Sequence, residues 1–211
     1  MTAATAVDQD SAIEASVQPF HVWGTHGTSL SRAKSIKHQG FELKPGRIGV
    51  GAYFWTAIDS SDACLGLARR LARTWATNSG KGGQYAEDVE SGLAIVEVGI
   101  EVEPDAVLPL DNPKMTFRLW SVLRSTLSEE LGINSDTDWG KVNLHNHMEL
   151  IHGIIEGFVV KLEAEMGSKF KVIFKSQSCP KYSDPILPFI GNHSCFAIRD
   201  ASVIKNMAIT N

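Results

Sequence analysis

The chain has 211 residues, of which 43% are apolar and 21% are charged, a composition typical of one soluble globular domain with its own core. The formal net charge of −4 disfavours general electrostatic binding to nucleic acids or to anionic membranes. Cys64, Cys179 and Cys195 are scattered and odd in number, which argues against a disulfide framework or a zinc ribbon and predicts a cytoplasmic location. No apolar run is long enough to suggest a membrane span.

Residues 1–17 have neither the basic start nor the apolar segment of a signal peptide, and we interpret them as a flexible tail, with a weak helical arm as the alternative. Short runs rich in aromatic and β-branched residues predict strands farther along the chain. These strands are 19–24, broken at Gly24, then 52–55, 93–102, 107–111 continuing the edge of 93–102, 170–175, 194–200 and 203–209. Because they do not alternate with helices as βαβ units, they predict an α+β domain on a mostly antiparallel sheet.

Apolar positions at helical spacing, together with capping residues, predict the helices. The helices are one that begins after Ser29 or Ser31 and ends at Gly40, one over 62–76 capped from 59–61, one over 113–131 that stops at Gly132, and one over 143–165. Between them lie a glycine-rich turn, 44–51, and a polar loop, 77–92. Glycines in the turn permit positive φ and a close approach of the backbone to a ligand.

Two motifs in the stretch 21–56 resemble a known family. His26-Gly27-Thr28 stands before a short helix, and Gly49-Val50-Gly51-Ala52-Tyr53-Phe54 follows it. Together they resemble the first two motifs of the ADP-ribosyltransferase superfamily, in the diphtheria-toxin and poly(ADP-ribose)-polymerase branch, whose signature is histidine, tyrosine and glutamate. Ser61, near the start of the next helix, belongs to the same pattern.

The last core strand of that family is similar to the stretch 195–200 of this chain, which is followed by Val203 and Ile204. The resemblance therefore implies an ADP-ribosyltransferase-like split antiparallel β-sheet core within residues 18–211. Residues 112–169 would be a helical insertion in that domain.

The resemblance also implies a site that binds NAD as co-substrate. Gly27 would bind the carboxamide through its main chain, Tyr53 would stack on the nicotinamide ring and Ser61 would hydrogen-bond the carboxamide. His26 would donate to the adenosine-side ribose, and Arg47 would face the adenosine or the pyrophosphate. The expected cofactor-binding residues are His26, Gly27, Thr28, Arg47, Tyr53 and Ser61.

The third signature residue, a glutamate, is replaced by Cys195, which cannot do the work of a carboxylate. In the family this loss goes with transfer of a single ADP-ribose unit or with inactivity. Glu149 and Glu156 recur with His145 and His152 at the spacing of one helix face, so either glutamate would supply the missing carboxylate. The expected catalytic residues are His26, Tyr53, Glu149 and Glu156.

A metal site in the stretch 145–152 is not expected, because the sequence lacks HExxH and a second E-x-x-H helix. The motifs together predict a mono-ADP-ribosyltransferase that cleaves NAD and modifies a macromolecular acceptor, either a protein or a nucleic acid. Its small size suits a toxin or a phage-defence effector, for which a cognate antitoxin or inhibitor is expected. Two alternatives stay open: a catalytically decayed binding module and an NAD glycohydrolase.

Overall fold

The computed structural model describes residues 18–181, 183 and 185–210, so the predicted tail, 1–17, lies outside the described residues. The strands are β1 (Phe20–Ser29), β2 (Ala52–Ala57), β3 (Leu93–Val102), β4 (Val107–Pro109), β5 (Val172–Gln177), β6 (His193–Ile198) and β7 (Ile204–Thr210). The helices are α1 (Leu30–Gln39), α2 (Asp62–Lys81), α3 (Pro113–Leu131), α4 (Asp136–Trp139), α5 (Met148–Met166) and α6 (Leu187–Ile190), with 3-10 turns at Pro104–Ala106, Leu144–His147 and Ala201–Val203.

The described strands form one seven-stranded mixed sheet in the order β4-β5-β6-β2-β1-β3-β7. Only β4 and β5 pair in parallel, and every other pair is antiparallel. The predicted α+β class and the mostly antiparallel sheet are therefore confirmed. No helix of the described residues is long and apolar enough to cross a membrane.

The predicted position of β4 beside β3 is wrong. The outer edge of β3 is occupied by β7, and β4 lies at the opposite end of the sheet. There the Leu110 N–H donates to the Phe174 carbonyl over 2.8 Å, and Leu108 and Leu110 are buried in the same core as Ile173. Burial of these leucines fixes the segment beside β5.

The predicted break of β1 at Gly24 is also wrong, because the strand continues through it to Ser29. A Cβ atom on Gly24 would lie 2.4 Å from the ring of Phe196, which stacks on Phe54 with ring centroids 5.2 Å apart. Gly24 therefore makes room for an aromatic pair and does not end the strand.

Helices cover both faces of the sheet. Helix α1 packs through Ala33 on one face, whereas α2, α3 and α5 pack on the other. The predicted caps of α1 and α3 are confirmed, and Ser61 proves to be the cap of α2. Helix α2 continues to Lys81 into the predicted loop, and α5 begins at Met148, later than predicted, because residues 144–147 form a 3-10 turn.

Two glycine substitutions are expected to have opposite effects on stability. A Cβ on Gly27 would lie 2.0 Å from the Ala72 carbonyl oxygen of α2, whereas a Cβ on Gly66, inside α2, would meet nothing within 4 Å. Gly27→Ala should lower the free energy of unfolding by about 3 kcal/mol, because neither backbone yields easily. Gly66→Ala should raise it by about 0.5–1 kcal/mol through helix propensity. Urea denaturation measures both, and a neutral Gly27→Ala would contradict this contact.

Candidate functional site

The structure brings the strands that carry the three signature positions together. His26 is on β1, Tyr53 on β2 and Cys195 on β6, and these are adjacent strands in the sheet. The Nδ1 atom of His26 lies 2.9 Å from the Tyr53 carbonyl oxygen. A carbonyl oxygen only accepts, so we assign the hydrogen to Nδ1.

His26 is in its neutral form near pH 7. Burial lowers the pKa of this histidine, although the hydrogen bond with the Tyr53 carbonyl acts in the opposite direction. With its hydrogen on Nδ1, the neutral ring has an acceptor at Nε2. A ribose hydroxyl would then donate to His26, which reverses the direction of the hydrogen bond expected from the sequence.

The side chains of His26 and Tyr53 pack on opposite faces of the sheet. The His26 ring contacts Phe41 and Phe54, with centroids 5.7 and 5.9 Å away, on the α1 side. Tyr53 packs against the core on the α2 and α5 side. The pairing of β1 with β2 extends only from Trp23↔Ala57 to Thr25↔Trp55. A ligand that touches both rings must therefore cross the sheet beyond the end of this pairing.

Gly27 and Thr28 have structural roles in the fold. The α carbon of Gly27 faces α2 so closely that only glycine fits. Thr28 is 4% exposed, so its side chain packs inside the domain. Contact of Gly27 with a ligand would have to be made by its main chain.

The Tyr53 phenol fixes the glycine-rich turn. Its hydroxyl donates to the Gly49 carbonyl and accepts from the Ile48 N–H at 3.2 Å. Gly49 has a φ of 96°, a left-handed conformation that favours glycine. Burial raises the pKa of Tyr53 to about 12, so the phenol stays protonated and keeps donating to the turn.

The same turn binds a carboxylate from α5. Glu156 Oε2 accepts from the Val50 N–H at 2.7 Å and from Arg199 Nη1 at 2.8 Å, and Glu156 Oε1 accepts from Arg199 Nη2 at 2.8 Å. Burial raises the pKa of Glu156, but the hydrogen bonds from Arg199 and Val50 outweigh it, and the net pKa lies below the usual value. Glu156 is therefore ionised near pH 7.

Arg199 is the residue of this site that the sequence analysis missed. Besides Glu156, its Nη2 atom lies 3.6 Å from Glu163 Oε1. The Glu163 side chain, 3% exposed, also accepts from Lys169 Nζ at 2.8 Å and from the Phe170 N–H at 3.1 Å. Arg199, the residue that follows β6, thus connects the end of that strand to α5. The sequence signal was present, since Arg199 lies in the matched 195–200 stretch, but its partner lies 43 positions away.

Three other expected residues do not join this cluster. Glu149 is exposed in the first turn of α5, roughly 10 Å along the helix from Glu156, and has no hydrogen bond or ion pair with the described part of the chain. Ser61 is exposed and caps α2, accepting from the Cys64 N–H at 3.4 Å. Arg47 is exposed on the glycine-rich turn.

Cys195 is a buried, neutral thiol. It is 5% exposed and lies between Trp55 on β2 and Lys175 on β5. Burial raises the pKa of its thiol well above the usual value, so Cys195 is a poor nucleophile near pH 7. Within the described ranges, no group of three or more histidine, cysteine or acidic residues is placed to hold a metal ion.

No protein-family model matches the chain, and no curated protein sequence matches it at a significant level. What the domain does must therefore be inferred from its own residues. The features that bear on function are the hydrogen bond of the His26 ring with the Tyr53 main-chain carbonyl, the short pairing of β1 with β2, and the ionised Glu156 of α5 bound to the glycine-rich turn.

Proposed function

We propose that this chain is an ADP-ribosyltransferase-like domain that cleaves NAD and transfers one ADP-ribose unit to a macromolecular acceptor. The observation that carries the proposal is the 2.9 Å hydrogen bond between the His26 ring and the main-chain carbonyl of Tyr53, which sets the two signature residues side by side on adjacent strands. The short pairing of β1 with β2 supports the split sheet that the family resemblance implies. Glu156, bound to the same turn as Tyr53, supports a carboxylate in place of Cys195.

Each residue has a chemical role in this proposal. The nicotinamide–ribose bond breaks and its electron pair leaves with nicotinamide, which Tyr53 would stack against. Glu156 would stabilise the positive charge that develops on the ribose. A nucleophilic oxygen or nitrogen of the acceptor would then bond to the ribose carbon and release its proton to solvent. His26 would accept a hydrogen bond from the adenosine-side ribose and orient NAD.

A second candidate is a binding module that has lost catalysis. Arg199 binds both carboxylate oxygens of Glu156, which neutralises part of the charge needed for catalysis. Lys175 lies beside Cys195, where the family has a glutamate, and a cation there opposes a positively charged transition state. These two contacts favour the binding module, and use of water as acceptor would instead make the domain an NAD glycohydrolase.

The transferase proposal also includes a biological role. A small NAD-consuming domain suits a cytoplasmic toxin or phage-defence effector, and a cognate antitoxin or inhibitor protein would then cover its site. Toxicity on expression, relieved when transfer is abolished by substitution, is the outcome that this part of the proposal requires.

Substitutions of Tyr53 are expected to separate the contribution of its ring to ADP-ribose transfer from that of its hydroxyl. Labelled NAD is incubated with the purified protein and a cell lysate, and the label is followed into protein, DNA and RNA, together with nicotinamide release. Tyr53→Ala should reduce transfer about 100-fold, since the nicotinamide loses its stacking partner and its orientation. Tyr53→Phe keeps the ring and should retain most of the activity if the glycine-rich turn stays in place.

The outcomes separate the three candidates. Label in one fraction, lost with Tyr53→Ala, supports the transferase and names the acceptor class. Nicotinamide release without labelled macromolecules supports the glycohydrolase. A folded protein that releases no nicotinamide and labels nothing would refute both enzyme proposals and leave the binding module.

A further inference from the structure

A groove on the α5 side of the sheet is not used by the proposed NAD contacts, apart from Arg47. It has a volume of about 450 Å³ and lies between the glycine-rich turn, the start of α5 and the end of β5. This volume is within the range of small-molecule sites. Its apolar wall includes Met148, Ile151 and Ile155, and its polar wall includes Arg47, Lys175 and His145.

The groove is electropositive. Neither Arg47 nor Lys175 has an ion-pair partner in the part of the chain that the structure describes, and no carboxylate lines the groove there. The nearby Asp111 accepts from the N–H and hydroxyl of Ser176, at 2.6 and 2.8 Å. Among the described residues, the groove lining therefore contains two cations and no carboxylate, with Asp111 beside Ser176 at its edge, together with the amide side chains of Gln177 and Asn192.

His152, on α5 beside the groove residue Ile151, bears on the position of Arg47. Its Nε2 atom is buried and has no hydrogen-bond partner among the described residues. Burial lowers the pKa of His152, and the positive charge of Arg47 lowers it further. Arg47 lines the groove together with Met148, Ile151 and Ile155 of α5, which agrees with its effect on this histidine.

We propose that this groove binds a nucleoside phosphate, with the phosphate on Arg47 and Lys175 and the base on the apolar wall. A guanidinium binds phosphate oxygens in a bidentate manner and an ammonium adds a point charge. Met148 and Ile151 offer an apolar surface to a flat ring, and the amides of Gln177 and Asn192 can donate to and accept from its edge.

This nucleotide is distinct from the NAD of the proposed function. Its role as the acceptor of ADP-ribose rests on that proposed function. His26, expected at the adenosine side of NAD, has its ring on the α1 face. Lys175 shares a strand with Ile173 of the opposite core, two residues away, so its side chain is on the α5 face. We therefore assign Arg47 to the phosphate of the acceptor, and the acceptor is a nucleotide or the phosphorylated end of a nucleic acid.

Calorimetric titration of the full chain at low salt tests the groove. The probes are AMP, adenosine, and a short single-stranded RNA with or without a 5′-phosphate. AMP should bind, and adenosine should bind at least about tenfold more weakly because it lacks the charged contacts. A higher affinity for the phosphorylated RNA than for AMP identifies a nucleic-acid end, and the reverse identifies a free nucleotide.

Two charge-removing variants and one matched control locate the site. Lys175→Ala and Arg47→Ala should each weaken AMP binding about tenfold or more, and neither breaks an ion pair in the described structure. Lys161→Ala, an exposed lysine on α5 outside this groove, should leave the affinity unchanged. Equal binding of AMP and adenosine, or full affinity in Lys175→Ala, would overturn the proposal.

Competition with NAD and the release of nicotinamide separate this proposal from the proposed function. Saturating NAD should not displace AMP, and displacement would overturn the assignment to the acceptor. If nicotinamide is released but no phosphate-bearing probe binds, only the groove proposal fails. If AMP binds in the groove but no nicotinamide is released, only the transferase proposal fails and the groove remains a binding site.

Discussion

Glu156→Gln is expected to lower nicotinamide release about 100-fold, whereas Glu149→Gln should leave it within about twofold. Glu156 is ionised and bound to the turn that the Tyr53 hydroxyl also contacts, so under the proposed function its charge would stabilise an oxocarbenium-like transition state. Glu149 is exposed on the same helix and serves as the matched control. Single-turnover release of nicotinamide measures the chemical step.

The Glu156 variant also needs a stability control, because its side chain is half-buried. Glutamine can still accept from the Val50 N–H, so circular dichroism and the urea midpoint should show a folded domain. Release that stays unchanged in a folded Glu156→Gln protein would exclude Glu156 as the catalytic carboxylate. With no release from the wild-type protein either, Glu156 would remain a partner of Arg199 only, as in the binding module.

Arg199→Ala is expected to lower the free energy of unfolding by about 3–5 kcal/mol. Glu156, whose side chain is 23% exposed, loses its counter-charge with this arginine, which is itself 14% exposed. Glu163, 3% exposed, loses one of its two cationic partners and keeps Lys169. A buried carboxylate without a counter-charge is costly because protein surroundings solvate it poorly. Urea denaturation at pH 7 measures the loss.

Arg118→Ala is the matched control, since Arg118 pairs with Glu165 while both side chains are over one-third exposed, at 37% and 42%. Its loss should be at most about 1 kcal/mol. Arg199→Lys keeps the charge but not the bidentate geometry and should fall between the two. Equal losses in Arg199→Ala and Arg118→Ala would show that the Arg199 cluster does not stabilise the fold.

The Arg199 contribution should also depend on pH. Burial raises the pKa of Glu156, but Arg199 and the Val50 N–H lower it to a net value below the usual 4.5. The stabilisation is therefore present above about pH 4.5 and is lost as the pH falls through the folded pKa. The difference in stability between wild type and Arg199→Ala should accordingly shrink in acid.

Local sequence patterns determined most elements of this fold. Ser29 and Ser61 cap helices, and Gly40 and Gly132 end them, because a hydroxyl that satisfies the first N–H groups and a residue that tolerates unusual φ are local requirements. The strand 93–102 was predicted with its observed bounds, since it is rich in β-branched and other apolar residues.

The errors came from residues whose partners are distant. Gly24 resembles a strand breaker until Phe196 is seen to lie against it. The segment containing Leu108 looks like a continuation of β3 until Ile173 is seen beside it in the core. Neither partner is near in sequence, so no local pattern could reveal these contacts.

For the site, the sequence by itself determined which residue types could do the chemistry: the His26 and Tyr53 motifs and a choice between two glutamates. Only the tertiary structure decided that Glu156 of α5, and not Glu149, binds the glycine-rich turn, and that Arg199 binds Glu156. It also decided which faces of the sheet His26 and Lys175 occupy. The physical reason is that hydrogen bonds and charges act over a few ångströms in space, whereas these partners are tens of residues apart in the chain.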